Sequence, residues 1–130
     1  MGRPLPVPDA MTAPYWEAAR RGQLVVPECD ACARRHFPPE ARCPYCRSTW
    51  HWAVSSGEGE VYTFSVVHRG ASPDFAVPYV LADVDVDGGT WTTTTNIVGC
   101  EPDEVRIGMP VRATFEAQND EITLVLFAPR

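Results

Sequence analysis

Cys29-Asp30-Ala31-Cys32 and, after ten intervening residues, Cys43-Pro44-Tyr45-Cys46 form the stretch whose reading decides the fold of this chain. Two residues between paired cysteines let both thiolates turn toward one point. Two such knuckles complete the tetrahedral shell of four sulfurs that Zn²⁺ takes in closed structural sites. Four ligands leave no position for water or substrate, so the ion is expected to fix local structure and to do no Lewis-acid chemistry. One pair alone would read equally as a redox disulfide; two at ribbon spacing point to metal. So short a segment has almost no core of its own, which couples its folding to the ion. Leu24-Val25-Val26 reads as a strand leading into the first pair, and Thr49 to Val54, with Trp50 and Trp52, as a strand leaving the second.

Toward the C-terminus the pattern turns to β from Gly57 onward. Five strands are expected: Glu60 to His68, Pro78 to Asp87, Thr90 to Val98, Val111 to Ala117 and Glu121 to Phe127. The second alternates Val80, Ala82, Val84 and Val86 with Asp83, Asp85 and Asp87, one set facing a core and the other water. The fourth does likewise, with Val111, Ala113, Phe115 and Ala117 inward and Arg112, Thr114 and Glu116 outward. Gly88-Gly89 and Asn119-Asp120 supply hairpin turns. Between the third and fourth strands, Glu101 to Gly108 holds a proline that opens and a glycine that closes one helical turn. This is the element order of an OB-fold barrel, whose closure removes exposed sheet edges.

Toward the N-terminus, residues 1–11 carry Pro4, Pro6 and Pro8 and read as an extended arm that orders only against another surface. A short helix follows, capped by Thr12, with Pro14 in its first turn, Glu17 near its positive end, Arg20 and Arg21 at the other end and Gly22 as terminator. So short a helix is not stable alone. Tyr15, Trp16 and Ala19 must dock, either on the chain's own ribbon and barrel or at a subunit interface. The chain thus divides into an arm and helix (1–22), a zinc ribbon (23–56) and a barrel (57–130), a mainly β protein.

Charge separates the halves. All eleven basic residues are arginines; residues 1–56 carry seven against five acids, a net of +2, and residues 57–130 carry four against twelve, a net of −8. A nucleic-acid binder needs a positive footprint, so a barrel at −8 argues against the rival reading, an OB-fold module stacking bases on Tyr62, Phe64 and Trp91. No apolar run approaches the length that spans a bilayer and no signal sequence opens the chain, so a cytoplasmic location and no membrane partner are expected. Pro6 stands where a myristoylation signal needs Ser or Thr. A reducing compartment also suits cysteines that bind metal rather than form disulfides.

Arg34, Arg35, Arg42 and Arg47 crowd the ribbon. They either offset the net −2 of a zinc tetrathiolate or grip phosphates of a nucleotide-bearing ligand such as coenzyme A. Candidate ligand contacts are Arg34, Arg35, Phe64, His68, Arg69, Phe75 and Asn96, chosen for charge or for position near strand ends and the loop Gly70 to Val77. Cys100 with His68 is the remaining catalytic combination, and nothing local supports it against an inert core thiol. His36 and His51 show no metal or catalytic spacing, and no phosphate loop, nucleophile elbow or paired acids complete an active site.

Tyr15-Trp16-Glu17, the two knuckles with Phe37-Pro38-Pro39 between them, Gly57-x-Gly59-x-Val61-Tyr62, Asn96-Ile97-Val98-Gly99-Cys100 and Ile107-Gly108-Met109-Pro110-Val111 together resemble a known family. These are the acyl-CoA-associated proteins built from a rubredoxin-like zinc ribbon and an OB-fold. The likeness runs from about Pro14 to Pro129, departing at Ala33, where many members have glycine, and at Thr92 to Thr95. It implies a noncatalytic accessory subunit of a hetero-oligomer. The partner would be a thiolase, hydroxymethylglutaryl-CoA-type synthase or sterol side-chain aldolase, which supplies the nucleophile and acid–base residues. This chain, carrying structural Zn²⁺, would complete or cover the site for a coenzyme A thioester.

Overall fold

The structure is a computed structural model that describes residues 3–130; the first two residues of the expected arm lie outside the described residues. One helix, α1 (Ala13–Arg20), precedes seven strands: β1 (Val25–Cys29), β2 (Trp50–Val54), β3 (Glu58–Val67), β4 (Tyr79–Val86), β5 (Trp91–Ile97), β6 (Pro110–Ala117) and β7 (Thr123–Pro129). The expected ribbon, five-stranded barrel and helical turn (Pro102–Glu104) are all present. None of the described helices is long and apolar enough to cross a membrane.

The helix is capped differently from the sequence reading. Thr12 has helical backbone angles and its side chain makes no cap bond. Instead the Asp9 carboxylate accepts the Thr12 N–H (2.8 Å) and hydroxyl (3.1 Å), while the Asp9 N–H donates to Thr12 Oγ1 (3.0 Å). A residue already inside the turn cannot cap it, so the acid one turn earlier does. The first helical turn holds no acid, leaving Glu17 beyond the stretch where the dipole acts. Gly22, at φ +73°, ends the helix as expected.

β1 and β2 pair antiparallel from Val25↔Val54 to Cys29↔Trp50, bringing the two knuckles together at one end. The other five strands close a barrel in the order β3-β4-β5-β7-β6. β4 keeps the alternation read from sequence: Val80, Ala82, Val84 and Val86 are buried among Val61, Trp91, Ile97, Val111 and Phe127. Each of these valines withdrawn from water contributes about 1.5–3 kcal/mol before entropy is charged. Asp83 and Asp85 face outward and accept hydrogen bonds from Thr94 (2.6 Å) and Thr92 (2.8 Å) across the strand pair. β6 buries Val111 and half-buries Phe115, whereas Ala117 at its end is exposed. At Gly59 a Cβ would lie 2.4 Å from the Asp85 carbonyl oxygen, so β3 approaches β4 as closely as it does only because that side chain is missing.

Helix, ribbon and barrel meet through aromatic rings. Tyr15 packs at 5.0 Å from Trp16, 5.4 Å from Phe37 and 6.4 Å from Trp52, and Phe37 lies 5.7 Å from the barrel's Trp91. Aromatic pairs at these separations are favourable beyond the area they bury.

Candidate functional site

The four knuckle cysteines converge: one sulfur from each of Cys29, Cys32, Cys43 and Cys46 lies within 4.8 Å of all the others. Cys29 Sγ is 3.4 Å from Cys46 Sγ, and Cys32 Sγ 3.8 Å from Cys43 Sγ. Tetrahedral Zn–S bonds of about 2.3 Å require sulfurs roughly 3.8 Å apart, so the donor set fits zinc. Hydrogen-bond donors favour the charged form at several of the sulfurs; at Cys32 the Arg34 N–H does so too, but burial and the three neighbouring thiols overturn it and raise its pKa to about 11. Backbone N–H groups of Ala31 and Cys32 point at Cys29 Sγ (both 3.3 Å), and that of Tyr45 at Cys43 Sγ (3.4 Å). The Ser48 backbone N–H and hydroxyl stabilise the Cys46 thiolate and bring its pKa down to about 6. All four ligand positions come from the chain, so the ion is structural: it holds β1 to β2 and orders the loops between them.

From this centre a polar chain runs to the barrel. Asp30, inside the first knuckle, accepts from the Thr49 hydroxyl (2.6 Å) and meets His51 Nδ1 (2.7 Å). The other face of His51 reaches Glu28 (3.3 Å); Glu28 accepts Arg35 Nε (3.0 Å); Arg35 Nη1 donates to Asp87 (2.7 Å) in the β4–β5 turn. Asp87 also accepts the Ser55 hydroxyl (2.7 Å), the Trp91 indole N–H (2.8 Å), and the Ser56 N–H (2.9 Å) and hydroxyl (2.5 Å). Burial alone would raise its pKa, but the hydrogen bonds from Ser56, Trp91 and Ser55 overturn that and hold it at about 2. The sequence pattern placed Asp87 on the water face of β4. The structure makes it the joint between ribbon and barrel, its side chain 12% exposed. No periodicity could reveal this, because its partners lie in three other segments.

The arginines of the ribbon do not act as one cluster. Arg35 is held in the Glu28 and Asp87 ion pairs. Arg34 lies over the Tyr45 ring, 4.9 Å from its centroid, on the exposed side of the ribbon. His36, read from sequence as lacking metal or catalytic spacing, is a buried side chain: its ring is 5% exposed, packed edge-on to Trp50, and neither nitrogen has a hydrogen-bond partner among the described residues. Burial lowers its pKa, against an opposing pull from Glu40.

The remaining candidates divide. Tyr15, Trp16, Phe75 and Asn96 line a single cleft along β5 and β7, which joins two residues named for ligand contact with two named for an interface. Ala19, grouped with Tyr15 and Trp16 on the helix, is instead buried in the chain's own packing at 1% exposure. His68 and Arg69 are exposed after β3 and make no ion pair among the described residues. Phe64 faces inward opposite Ala82 and packs on the core. Of the three rings considered for base stacking, Trp91 is also buried, and Tyr62 alone stands exposed. Cys100 is half-buried, and burial with Glu104 and Glu101 nearby raises its pKa, the opposite of what a thiolate nucleophile needs.

Residues 16–50 match a family described as "ChsH2, rubredoxin-like zinc ribbon domain" and residues 52–116 one described as "ChsH2, C-terminal OB-fold domain". A "Probable enoyl-CoA hydratase alpha subunit" of Thermomonospora curvata is 39% identical over 98% of this chain, which spans 40% of that relative's length. A "3-oxo-4,17-pregnadiene-20-carboxyl-CoA hydratase alpha subunit" of Mycobacterium tuberculosis is 33% identical over 83% of this chain and 37% of its own. A "DUF35 domain-containing scaffold protein" of Methanocaldococcus jannaschii is 38% identical, with 82% of this chain and 78% of the relative covered. Among solved structures, "Ltp2-ChsH2(DUF35) aldolase" contains a chain that superposes with a TM-score of 0.84 at 38% identity, covering 96% of this chain and 98% of that one.

Proposed function

This chain belongs to the ChsH2 family, a rubredoxin-like zinc ribbon joined to an OB-fold, and on that premise we propose that it is a noncatalytic accessory subunit of a thiolase-like enzyme. The partner, a thiolase, a hydroxymethylglutaryl-CoA-type synthase or a sterol side-chain aldolase, brings the reacting groups. This chain binds it and helps to form or cover its site for an acyl-CoA thioester, in a hetero-oligomer.

The observation that carries the reading is the end-to-end likeness to a chain of an aldolase whose description names two components. The descriptions of two relatives as coenzyme A hydratase subunits support the acyl-CoA ligand, although this chain spans well under half of each. The chemistry of the centre agrees: a closed tetrathiolate makes a rigid docking element and leaves no site for substrate at the metal. Coexpression with a thiolase-like protein from the same genome is expected to yield a stable complex on size exclusion, with raised partner solubility or activity. A partner equally soluble, monodisperse and active without this chain would overturn the proposal.

A further inference from the structure

The loop that joins the two knuckles is fastened over part of its length by side chains. Residues 37–42 make no backbone–backbone hydrogen bond among the described residues. They are held by the Phe37 ring, packed against Tyr15 and Trp91 (5.4 and 5.7 Å), and by the Trp50 indole N–H, which donates to the Glu40 carbonyl oxygen (2.6 Å). A segment with so few internal hydrogen bonds opens before the strands around it do.

His36 stands at the head of this segment. Its backbone N–H donates to the Pro27 carbonyl (3.2 Å), which anchors it to β1, and its imidazole is packed edge-on to Trp50 of β2. The ring is buried, and its nitrogens find no hydrogen-bond partner among the described residues. Such a pocket holds a neutral imidazole at some cost and a charged one at a far greater cost. A cleft of about 430 Å³ lies alongside, between this loop and the β4–β5 hairpin, with His36 in its wall. The charged or titratable groups lining it are Arg35, Glu40 and Tyr45; the barrel presents Thr90, Trp91 and Thr92, and Trp50 and Pro27 likewise carry no charge. Arg35 is occupied by Glu28 and Asp87, whereas Glu40 is exposed, so the cleft offers a protonated ring a route to a carboxylate and to water.

We propose that His36 is an acid-sensitive latch: neutral, it keeps residues 36–42 seated against Trp50 and the barrel; protonated, it leaves its packing for the cleft and Glu40, and the segment detaches. The burial that holds its pKa below the ordinary 6.5 works in the same direction. Because the Phe37 ring bridges Tyr15 and Trp91, detachment loosens the ribbon from the barrel and ties the seating of one on the other to pH. The latch does not depend on which enzyme the chain accompanies.

The test follows the Trp50 indole proton of the full-length, zinc-loaded chain by NMR, since its acceptor is the Glu40 carbonyl and lifting of the segment frees it to exchange with solvent. The open form takes up its proton with the ordinary pKa of 6.5 and the closed form only at lower pH, so opening grows as pH falls. Between pH 7.5 and 5.5 the exchange rate, corrected for its intrinsic pH dependence, should rise about tenfold, the most that one such proton allows over that span. The Trp91 indole proton, held by Asp87, should show no such rise. His36→Leu and His36→Gln, neither of which titrates, should each abolish it, and Gln keeps a polar side chain at the site if Leu disturbs the packing. Zinc content is measured at every pH. A rise that survives in both variants, or that tracks loss of zinc, would overturn the latch in favour of protonation at the cysteine ligands. An imidazole that titrates at 6.5 while Trp50 exchange stays flat would overturn it as well, since the ring would then take its charge without moving the loop.

Discussion

In the ribbon, β1 and β2 form a two-stranded sheet with few buried residues, Val25, Val26, Pro27 and Cys29, of which Val26 packs into the barrel's core, and with charged side chains tied into one another along its surface. In the barrel, forty of the residues lie in strands that pair into a closed cylinder around one valine-rich cluster. A two-stranded sheet is marginal in water, whereas five strands around a core are not. The contrast teaches that the two halves owe their rigidity to different things: the ribbon to four sulfurs and an ion, the barrel to apolar burial. Asp87 and the aromatic stack from Tyr15 to Trp91 are where the two kinds of rigidity meet.

That contrast breaks most visibly at a ligand. Cys43→Ser should release the metal and remove exchange protection from 25–54 while the barrel amides stay protected, because structural zinc contributes about 10–16 kcal/mol to small zinc domains. Metal analysis and hydrogen exchange read the two halves separately; unchanged zinc content would remove the basis for the metal assignment. The converse cut is Phe127→Ala. Phe127 is almost wholly buried in the barrel, so truncation should cost about 3–5 kcal/mol in urea unfolding with zinc content unchanged.

The same contrast explains what could be read from sequence. The knuckles were legible because metal geometry dictates a spacing, and β4 because alternation of Val80, Ala82, Val84 and Val86 with aspartates has one reading. Gly59 was legible as part of a motif, though its reason, the Asp85 carbonyl beside it, needed the register of β3 on β4. Asp87 was misread, since the pattern that exposes Asp83 and Asp85 extends one step too far when the ribbon covers the turn. The helix cap was displaced by one turn because Asp9 and Thr12 are both good caps and local sequence does not rank them. The cleft along β5 and β7 was hidden for the same reason as Asp87: Trp16, Phe75 and Asn96 come from three segments that only the closed barrel brings together.

Asp87→Asn tests the joint itself. With a folded-state pKa of about 2 against an ordinary 3.8, the carboxylate stabilises the fold fully above 3.8, and that contribution disappears as pH falls through about 2. At neutral pH the variant should lose about 2 kcal/mol, with the carboxylate buried enough that solvent screening removes little of it. The difference between wild type and variant should then shrink from pH 4 to pH 2 in chemical denaturation. A difference that stays constant across that window would assign the role of Asp87 to shape rather than charge.

The smallest expected effect has the opposite sign. His36 is a buried imidazole whose nitrogens find no partner, held below its usual pKa of 6.5 by burial. A buried polar group without hydrogen bonds costs about 1–3 kcal/mol, so His36→Leu should stabilise the chain by about 1 kcal/mol once the edge-on contact with Trp50 is given up. The sign of the pH dependence follows from the lowered pKa: the unfolded chain takes up the proton first, so the wild type loses stability as pH falls below 6.5, and the variant should not share that loss. The advantage of the variant therefore grows on acidification, read as a widening gap in Tm between pH 7.5 and 5.5. An equal gap at both values would mean that His36 is as easily protonated in the folded chain as outside it. In that case the ribbon's packing against Trp50 would be looser than the aromatic stack implies, and the ribbon would depend on its ion even more than the barrel depends on its core.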